Sequence, residues 1–538
     1  RTFNGKPDVR NGCLRSLVAR EGINMLRDRF PYPPTGFDRQ VFEAFVPPDH
    51  HLRKALKVIP WDAFHDDLAC YYSLDEGQPA KPPVLLLKLE YLRYHYNLSD
   101  RQVIERAKTD IAFRYFLQVD RHDQLVDPSL LCYFRGRLGR QGFRQVFRQV
   151  VRTAREYGLV KDRLRIKDAS HVIANIAVPT TLALIAQTRD KLLAAAEPFD
   201  PTRVEGERVN IELLRESTAG QNQEQRLVTR VTHLREILAW VDAVEPPQSA
   251  DKGPAWQTLV EQRQLAHKIL ADQEHPEAGH RTLSTVDPDA RRGKHGSWYD
   301  GYVVDIMADA DSELITEINV LPAGRDEAVD AVELVRQEEE AQGNDIEALS
   351  MDGAGFNGPM LRELEDPAGL AVNTFVPPKQ EASSNLFTPN DFVEDSDRRR
   401  VTCPAGQTSH YRQRDSRGRG WMHRFKQTTC QGCPLLSRCM DHPLQGPFGR
   451  TVCKSDYEAE YRQARQKATT PEYQSVRAEH PKVERKLGEL LNRHGGRRAR
   501  YWGMDQVLIQ ELMAGLATNV KRMVRLLCAP TAAGAGDF

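Results

Sequence analysis

Apolar and charged positions alternate between residues 164 and 168, where the chain reads Leu-Arg-Ile-Lys-Asp. A period of two predicts a half-buried strand that ends at Asp168. A carboxylate at such an end projects into the crevice beside the sheet, although Asp also ends strands because it favours turns. Asp168 is therefore a candidate site residue only if other acids join it.

Strand patterns return at Tyr299 and continue to about residue 376. Two runs separated by a turn-rich tetrad predict a hairpin, and a helix, a strand, a short helix and a strand follow. In chain order the predicted elements are strands 301–309 and 314–321, a helix from Asp326 to Gly343, a strand over 346–352, a helix over 360–364 and a strand over 370–376. With the strand before Asp168, this order predicts an α/β core with a ribonuclease-H-like mixed sheet, and it puts Asp352 on the fourth strand.

Helical patterns fill the region between residues 61 and 160. Residues 83–96 predict a strongly apolar helix that starts at a proline, and Ser99 and Asp100 are the candidate caps of the next one. A further apolar segment opens at Ser129 and carries arginines that include Arg135 and Arg137. This all-α N-terminal domain fits a helix-turn-helix that reads DNA, or an ordinary helical bundle with a solvated arginine face.

Residues 181–290 have no strand signal and many charges. Apolar residues recur at three- and four-residue steps between 205 and 244, which predicts one long helix. We interpret the stretch as a helical insertion into the core that clamps DNA or pairs with another subunit.

Composition places limits on these alternatives. The 538 residues exceed what one hydrophobic core normally serves, and the formal net charge is +0, so any nucleic-acid surface must be local. No apolar run reaches the roughly 18 residues of a membrane span, and we expect no secretory signal and a cytoplasmic location. The first residue is Arg1 rather than Met, so the completeness of the N-terminus stays open.

Four of the nine cysteines lie between residues 403 and 439 in a segment that is rich in arginine and looks poor in strands. Cys403, Cys430, Cys433 and Cys439 have the spacing C-x26-C-x2-C-x5-C. Four thiolates at tetrahedral reach form a closed structural Zn²⁺ site. The alternatives are substitution by His410, His423 or Cys453, or buried thiols without metal.

A third carboxylate is expected on the helix that contains Val483-Glu484. Together with Asp168 and Asp352, Glu484 could hold two Mg²⁺ ions, which prefer hard oxygen ligands and serve phosphodiester cutting and joining. Spacing alone also allows Glu484 to be an ordinary surface residue, and Glu479 and Glu489 are rivals for the third position.

Two basic stretches with interleaved aromatic residues flank this helix. Arg412 and Arg414 lie in the first, and Arg497 and Arg498 lie in the second. Local positive charge beside carboxylates suits a phosphate backbone, so these residues are predicted to bind DNA, along with Arg135 and Arg137.

The chain resembles DDE (Asp-Asp-Glu) transposases of bacterial insertion sequences. The motifs that carry the resemblance are Val46-Pro-Pro-Asp-His50, Lys167-Asp-Ala-Ser-His171, Ser284-Thr-Val-Asp-Pro-Asp-Ala290, Met351-Asp-Gly-Ala-Gly-Phe356, Cys430-x2-Cys433-Pro and Val483-Glu484 followed by Gly488. The family commonly has an aromatic and a basic residue just before its glutamate and a lysine two turns after it. Here Tyr473 and Arg477 stand farther back, and Leu491 stands near the place of the lysine.

The resemblance implies a DNA transposase whose catalytic, Mg²⁺-binding residues are Asp168, Asp352 and Glu484. Its partners would be terminal inverted repeats, target DNA and a second copy of the chain in a homodimer or higher oligomer, on the nucleoid when bound. An inactive DNA-binding derivative and a nuclease that cuts without joining remain the alternatives. The predicted organisation is an arm (1–60), the helical domain (61–160), the core (161–180 and 291–380), the helical insertion (181–290), a zinc insert (381–460) and C-terminal core helices (461–538).

Overall fold

The computed structural model describes residues 33–73, 80–247, 253–274, 280–325, 330–379, 386–441, 444 and 446–529. These residues divide into two compact units. The first unit takes the described residues of 1–161, 168–327 and 482–538, and the second takes those of 162–167 and 328–481. The strand Arg165–Ile173 therefore begins in the second unit and continues into the first.

The helices agree with the predicted helical N-terminal region. In chain order the described α-helices are α1 Gly36–Phe45, α2 His51–Val58, α3 Phe64–Ala69, α4 Pro83–His95, α5 Asp100–Thr109, α6 Ile111–Leu117, α7 Ser129–Glu156, α8 Thr181–Ala196, α9 Pro201–Ser217, α10 Gln223–Asp242, α11 Gly253–Glu274, α12 Asp330–Gln342, α13 Gly358–Leu364, α14 Gln427–Gln431, α15 Leu436–Cys439, α16 Glu458–Lys467, α17 Pro471–Glu479, α18 Pro481–Arg493 and α19 Met504–Leu527. The predicted start of α12 at Asp326 lies outside the described residues.

The strands confirm an α/β core. In chain order they are β1 Arg165–Ile173, β2 Arg291–His295, β3 Ser297–Asp309, β4 Ile315–Pro322, β5 Ala348–Ser350, β6 Asn373–Phe375, β7 Val393–Glu394, β8 Val401–Thr402, β9 Tyr411–Arg414, β10 Gly420–Lys426 and β11 Phe448–Ser455. The predicted hairpin is β3 and β4, which pair antiparallel.

In the first unit the C-terminal helix α19 packs against α2, α4, α7 and strand β4. Most of its residues from Val507 to Val524 are buried, as are nearly all residues of α4. A Cβ at Gly515 would lie 2.4 Å from Ile318 Cδ1, so α19 approaches β4 closely only because this residue is glycine. The C-terminal residues therefore complete the core that the N-terminal helices begin.

The sheet of the first unit is built on β3. Strands β2 and β4 pair antiparallel with β3, and β1 is also its neighbour. At Gly301, an added Cβ would lie 2.0 Å from the Val172 carbonyl oxygen, which explains why a glycine stands where β3 meets β1. Helices α8 to α11 form a cluster with a hydrophobic core of their own.

One helix was predicted between residues 205 and 244, but the structure has two. Helix α9 ends at Ser217, and Asn222 caps α10 by accepting from the Gln225 amide at 2.9 Å. The prediction was wrong because the apolar spacing continues through a break that Gly220 and the Asn222 cap produce.

In the second unit, β1 residues Arg165 and Ile166 pair parallel with β5, and β5 pairs parallel with β6. The cysteine-rich segment carries β7 and β8 as a pair and β9, β10 and β11 as an antiparallel sheet. The expectation of a strand-poor segment was therefore wrong. Strand β9 gives no alternating pattern in the sequence, because all four of its side chains are exposed.

Candidate functional site

Asp168 lies within β1 and not at its end, because the strand runs on to Ile173. The prediction that the strand ends at Asp168 was wrong, because residues 169–173 continue the strand. The charged Asp168 breaks the apolar alternation in the sequence but does not end the strand. The carboxylate is half-buried, and its Oδ1 accepts a hydrogen bond from the Ala169 amide at 2.8 Å. A rigid strand therefore holds this acid within the first unit.

Asp352 lies two residues after β5 in the second unit and is exposed. It caps the short helical turn at 353–355 by accepting from the Ala354 amide at 3.1 Å. Helix α17 fixes the segment, because Arg477 donates to the Met351 carbonyl at 2.5 Å and to Ser350 Oγ at 3.1 Å. The segment that carries this exposed carboxylate is thus held in place by its neighbours.

A buried histidine lies beside this segment in the second unit. His480 is 4% exposed, and its Nδ1 lies 3.2 Å from Ser350 Oγ. Burial and, to a smaller extent, the charge of Arg477 together lower the pKa of His480 to about 4, although Asp352 opposes the shift. At neutral pH the imidazole is therefore uncharged. No spacing pattern in the sequence predicts a role for this residue, because it is a lone histidine.

Glu484 lies in the first turn of α18 and is exposed. Its two rivals are engaged in ion pairs. Glu479 contacts Arg163 at 3.1 Å, and Glu489 contacts Lys521 at 2.7 Å and Lys486 at 3.2 Å. Burial alone would raise the pKa of Glu489, but these two lysines lower it overall. Glu484 is therefore the more available of the three carboxylates.

The three predicted metal ligands are divided between the two units. Asp168 and Glu484 belong to the first unit, and Asp352 belongs to the second. Among the described residues, no group of three or more His, Cys, Asp or Glu side chains that could hold a metal ion is found. Their gathering around magnesium stays a prediction.

The four predicted zinc ligands line one small cavity, of about 30 Å³, in the second unit. Three of these thiols pack on a hydrophobic cluster that includes Phe392 and Phe425. Burial raises the pKa of the Cys439 thiol, and the thiols of Cys430, Cys403 and Cys433 raise it further although Arg450 opposes them. The structure thus places the four cysteines around one cavity.

Arg135 was predicted to contact DNA, but its side chain is only 4% exposed. Its guanidinium binds Glu90 at 2.5 Å and Asp100 at 2.6 Å. The acids required by this buried cation come from α4 and α5, so they could not be paired with it from spacing. Arg137, two residues later, is exposed and lies over the Tyr72 ring at 4.4 Å.

Arg412 and Arg414 are both exposed on β9. Their guanidinium groups lie 3.5 Å and 4.9 Å from the centre of the Trp421 ring on β10. Arg414 also pairs with Asp456 at 2.8 Å. The predicted basic stretch is thus an exposed sheet surface in which an indole orders two cations.

Arg497 and Arg498 follow α18 and differ in direction. Arg497 donates to the His171 carbonyl at 2.8 Å and to Ser170 Oγ at 3.2 Å, so it anchors β1 near Asp168. Arg498 is exposed, and both arginines line a cavity of about 520 Å³ together with Asn175 and Arg500. Of this pair, Arg497 is the one whose side chain hydrogen-bonds to β1 among the described residues.

Two regions of the chain match known transposase families. Residues 40–137 match the family described as "Transposase domain (DUF772)", and residues 402–524 match the family described as "Transposase DDE domain". These matches confirm the predicted resemblance to an insertion-sequence DDE transposase. The second match contains Glu484 and the four cysteines, whereas Asp168 and Asp352 lie outside both.

A similar curated protein is "Uncharacterized protein ORF8 in nfe locus" of Rhizobium meliloti, which is 28% identical over 125 residues. The aligned part covers 23% of this chain and 60% of the relative's length. Within the described residues, no helix is both long and apolar enough to cross a membrane.

Proposed function

We propose that the protein is a DNA transposase that binds the terminal inverted repeats of an insertion sequence, cleaves its ends and joins them to target DNA. The two transposase-family matches carry this proposal, because they lie in different parts of one chain. The pairing of strands supports it further. Within the first unit β4 neighbours β3 and β3 neighbours β1, and within the second β1 pairs with β5 and β5 with β6.

This strand order supports a ribonuclease-H-like core, in which Asp168 on β1 and Asp352 after β5 act with Glu484. The donor set fits Mg²⁺, since all three are carboxylates and two are exposed to solvent. When bound, a pair of Mg²⁺ ions stabilises both the attacking and the leaving oxygen of an in-line displacement. The backbone amide of Ala169 orients Asp168, and Arg477 holds the segment before Asp352.

The proposed reaction has two displacements at phosphorus. Water attacks the phosphodiester at the element's end, one P–O bond forms, and the bond to the 3′ oxygen breaks to leave a 3′-hydroxyl. That hydroxyl then attacks a target phosphodiester and displaces another 3′ oxygen. Bond number is conserved in each step, so no external energy source is required.

DNA contact is assigned to the exposed arginines Arg137, Arg412, Arg414 and Arg498. Arg135 and Arg497 have structural partners and serve to position the helices and β1. We further propose that the chain acts as a homodimer or higher oligomer, because two element ends must be held together, and that it works on the nucleoid.

A structural Zn²⁺ at Cys403, Cys430, Cys433 and Cys439 is the second part of the proposal. The donor set fits, because four sulfur atoms line one cavity. Elemental analysis of the purified chain should give about one zinc per chain, and Cys433→Ser should lose it. Zinc that is absent from the folded parent protein contradicts this assignment.

Strand-transfer assays test the activity. DNA that carries the ends flanking the coding region, incubated with protein and Mg²⁺, should give joined products, and Asp168→Ala should abolish cleavage while DNA binding persists. Cut products without joining would favour the nuclease, and binding alone would favour the inactive derivative. Full cleavage by Asp168→Ala would contradict the metal assignment.

A further inference from the structure

A cleft of about 620 Å³ lies between α18 and α19 in the first unit. Six of the side chains that line it are cationic, namely Arg485, Lys486, Arg493, Lys521, Arg522 and Arg525. The chain as a whole has a formal net charge of +0, so this concentration is local.

One acid that lines the cleft, Glu489, and one nearby acid, Glu313, neutralise only part of this charge. Glu489 pairs with Lys521 and Lys486, and Glu313 pairs with Arg522 at 3.2 Å and with Arg485 at 3.6 Å. Two carboxylates against six cations leave an excess of four positive charges. A cleft with low-dielectric walls focuses such a field and favours an anionic ligand.

Two of the six cations have no partner among the residues that the structure describes. Arg493 and Arg525 are exposed, and neither forms a hydrogen bond or ion pair with the described residues. They stand at the ends of the two helices that form the cleft. A ligand could therefore bind these two guanidinium groups without breaking a hydrogen bond or an ion pair between described residues.

The wall of the cleft contains a glycine that the protein's own packing does not require. Gly488 lies in the middle of α18, where glycine costs about 1 kcal/mol relative to alanine. No atom lies within 4 Å of the position that its Cβ would take. The open space beside this residue allows a ligand to approach the helix backbone closely.

The cleft lies in line with the proposed catalytic glutamate. Glu484, Gly488 and Asn492 recur every four residues and share one row on α18, and Arg485, Glu489 and Arg493 form the neighbouring row. From Arg485 to Arg493 the helix rises about 12 Å, the axial length of roughly three to four nucleotides of one strand. An extended polyanion matches this tract better than a single phosphate does.

We propose that the cleft between α18 and α19 binds the phosphodiester backbone of the DNA beside Glu484, with Arg493 and Arg525 as its principal phosphate contacts. This inference rests on the proposed function, and it names the surface that leads the DNA to the glutamate. Arg485, Lys486, Lys521 and Arg522 supply the surrounding field, because their charges are shared with Glu489 and Glu313.

The double variant Arg493→Gln with Arg525→Gln tests the contacts. Affinity for a fluorescent random-sequence DNA duplex is measured by anisotropy over a range of salt concentrations. Each lost phosphate contact lowers the slope of log affinity against log salt by about 1, so the double variant should lose about 2. The matched control is Arg215→Gln with Arg336→Gln, which removes the same charge from exposed positions on α9 and α12.

An unchanged slope in the cleft variant, or an equal loss in the control, overturns the proposal. Gly488→Leu gives a second, independent test. Leucine favours helix and meets open space, so the melting temperature should stay or rise while DNA affinity falls. A folded Gly488→Leu protein that binds DNA as the parent does also overturns the proposal.

Strand transfer, measured in parallel, separates this inference from the proposed function. If the parent joins strands but the cleft variant keeps the parent's slope of log affinity against log salt, the cleft assignment is wrong and the proposed function stands. If the slopes change as expected but the parent neither cuts nor joins DNA, the proposed catalytic function fails and the DNA-binding cleft stands.

Discussion

Arginines in two regions of the molecule have opposite roles. In the helical region of the first unit, Arg135 is buried against Glu90 and Asp100. On the β9–β10 surface of the second unit, Arg412 and Arg414 are exposed around Trp421. A buried guanidinium must have its charge and hydrogen bonds satisfied inside the protein, whereas an exposed one keeps both for a ligand. Basic sequence alone therefore does not identify a DNA surface.

The neighbours Arg135 and Arg137 give the largest expected effect. Arg135→Gln should lower the free energy of unfolding by about 3–5 kcal/mol, because it leaves buried Glu90 with one cation fewer. Arg137→Gln, the matched control on the same helix, should change it by no more than about 0.5 kcal/mol. Urea unfolding measures both. Equal losses in the two variants would contradict the contrast between buried and exposed arginines.

A smaller effect is expected for the buried histidine of the second unit. The pKa of His480 is lowered to about 4 from its ordinary 6.5, so the unfolded chain binds a proton that the folded chain does not. Above pH 6.5 the histidine is uncharged in both states and costs no stability. As the pH falls from 6.5 towards 4, the unfolded state gains a proton and the free energy of unfolding decreases.

His480→Gln should therefore flatten the acid limb of the stability curve by up to about 1.4 kcal/mol per pH unit in that window. Unfolding measured at a series of pH values tests this, with His410→Gln as an exposed control. The same acid limb in the His480 variant and in the parent would show that burial does not shift this group.

The smallest stability effect is expected on the exposed sheet. Arg412→Gln with Arg414→Gln should leave the free energy of unfolding within about 0.5 kcal/mol, because surface ion pairs contribute little. The slope of log DNA affinity against log salt should nevertheless fall by about 1 for each phosphate contact removed. A large loss of stability with an unchanged slope would show that these arginines stabilise the fold, as Arg135 does, and do not contact DNA.

Local patterns predicted many elements correctly. Helix α4 begins at Pro83 as expected, Ser99 caps α5, and Gly343 with a φ of +66° follows α12. Each of these depends on the chemistry of a few adjacent residues, which sequence displays directly. The failures arose where local signals conflicted, as at the break between α9 and α10 and at Asp168 within β1.

The candidate site was predictable in residue type but not in arrangement. The spacing of four cysteines indicated a cluster, and the structure places all four around one cavity. Burial of Arg135 had no such signal, because its partners Glu90 and Asp100 lie 45 and 35 residues earlier in the chain. The cation cleft depends on how α18 and α19 pack against each other, and no periodicity encodes that packing.

The sequence by itself determined the type and order of most helices and strands, the cysteine spacing and the transposase resemblance, since propensity, capping and motif spacing are local properties. Only the tertiary structure decided which arginines are buried, that α19 completes the core of the N-terminal helices, and that a cationic cleft lies beside Glu484. The physical reason is that burial and electric field are sums over neighbours in space.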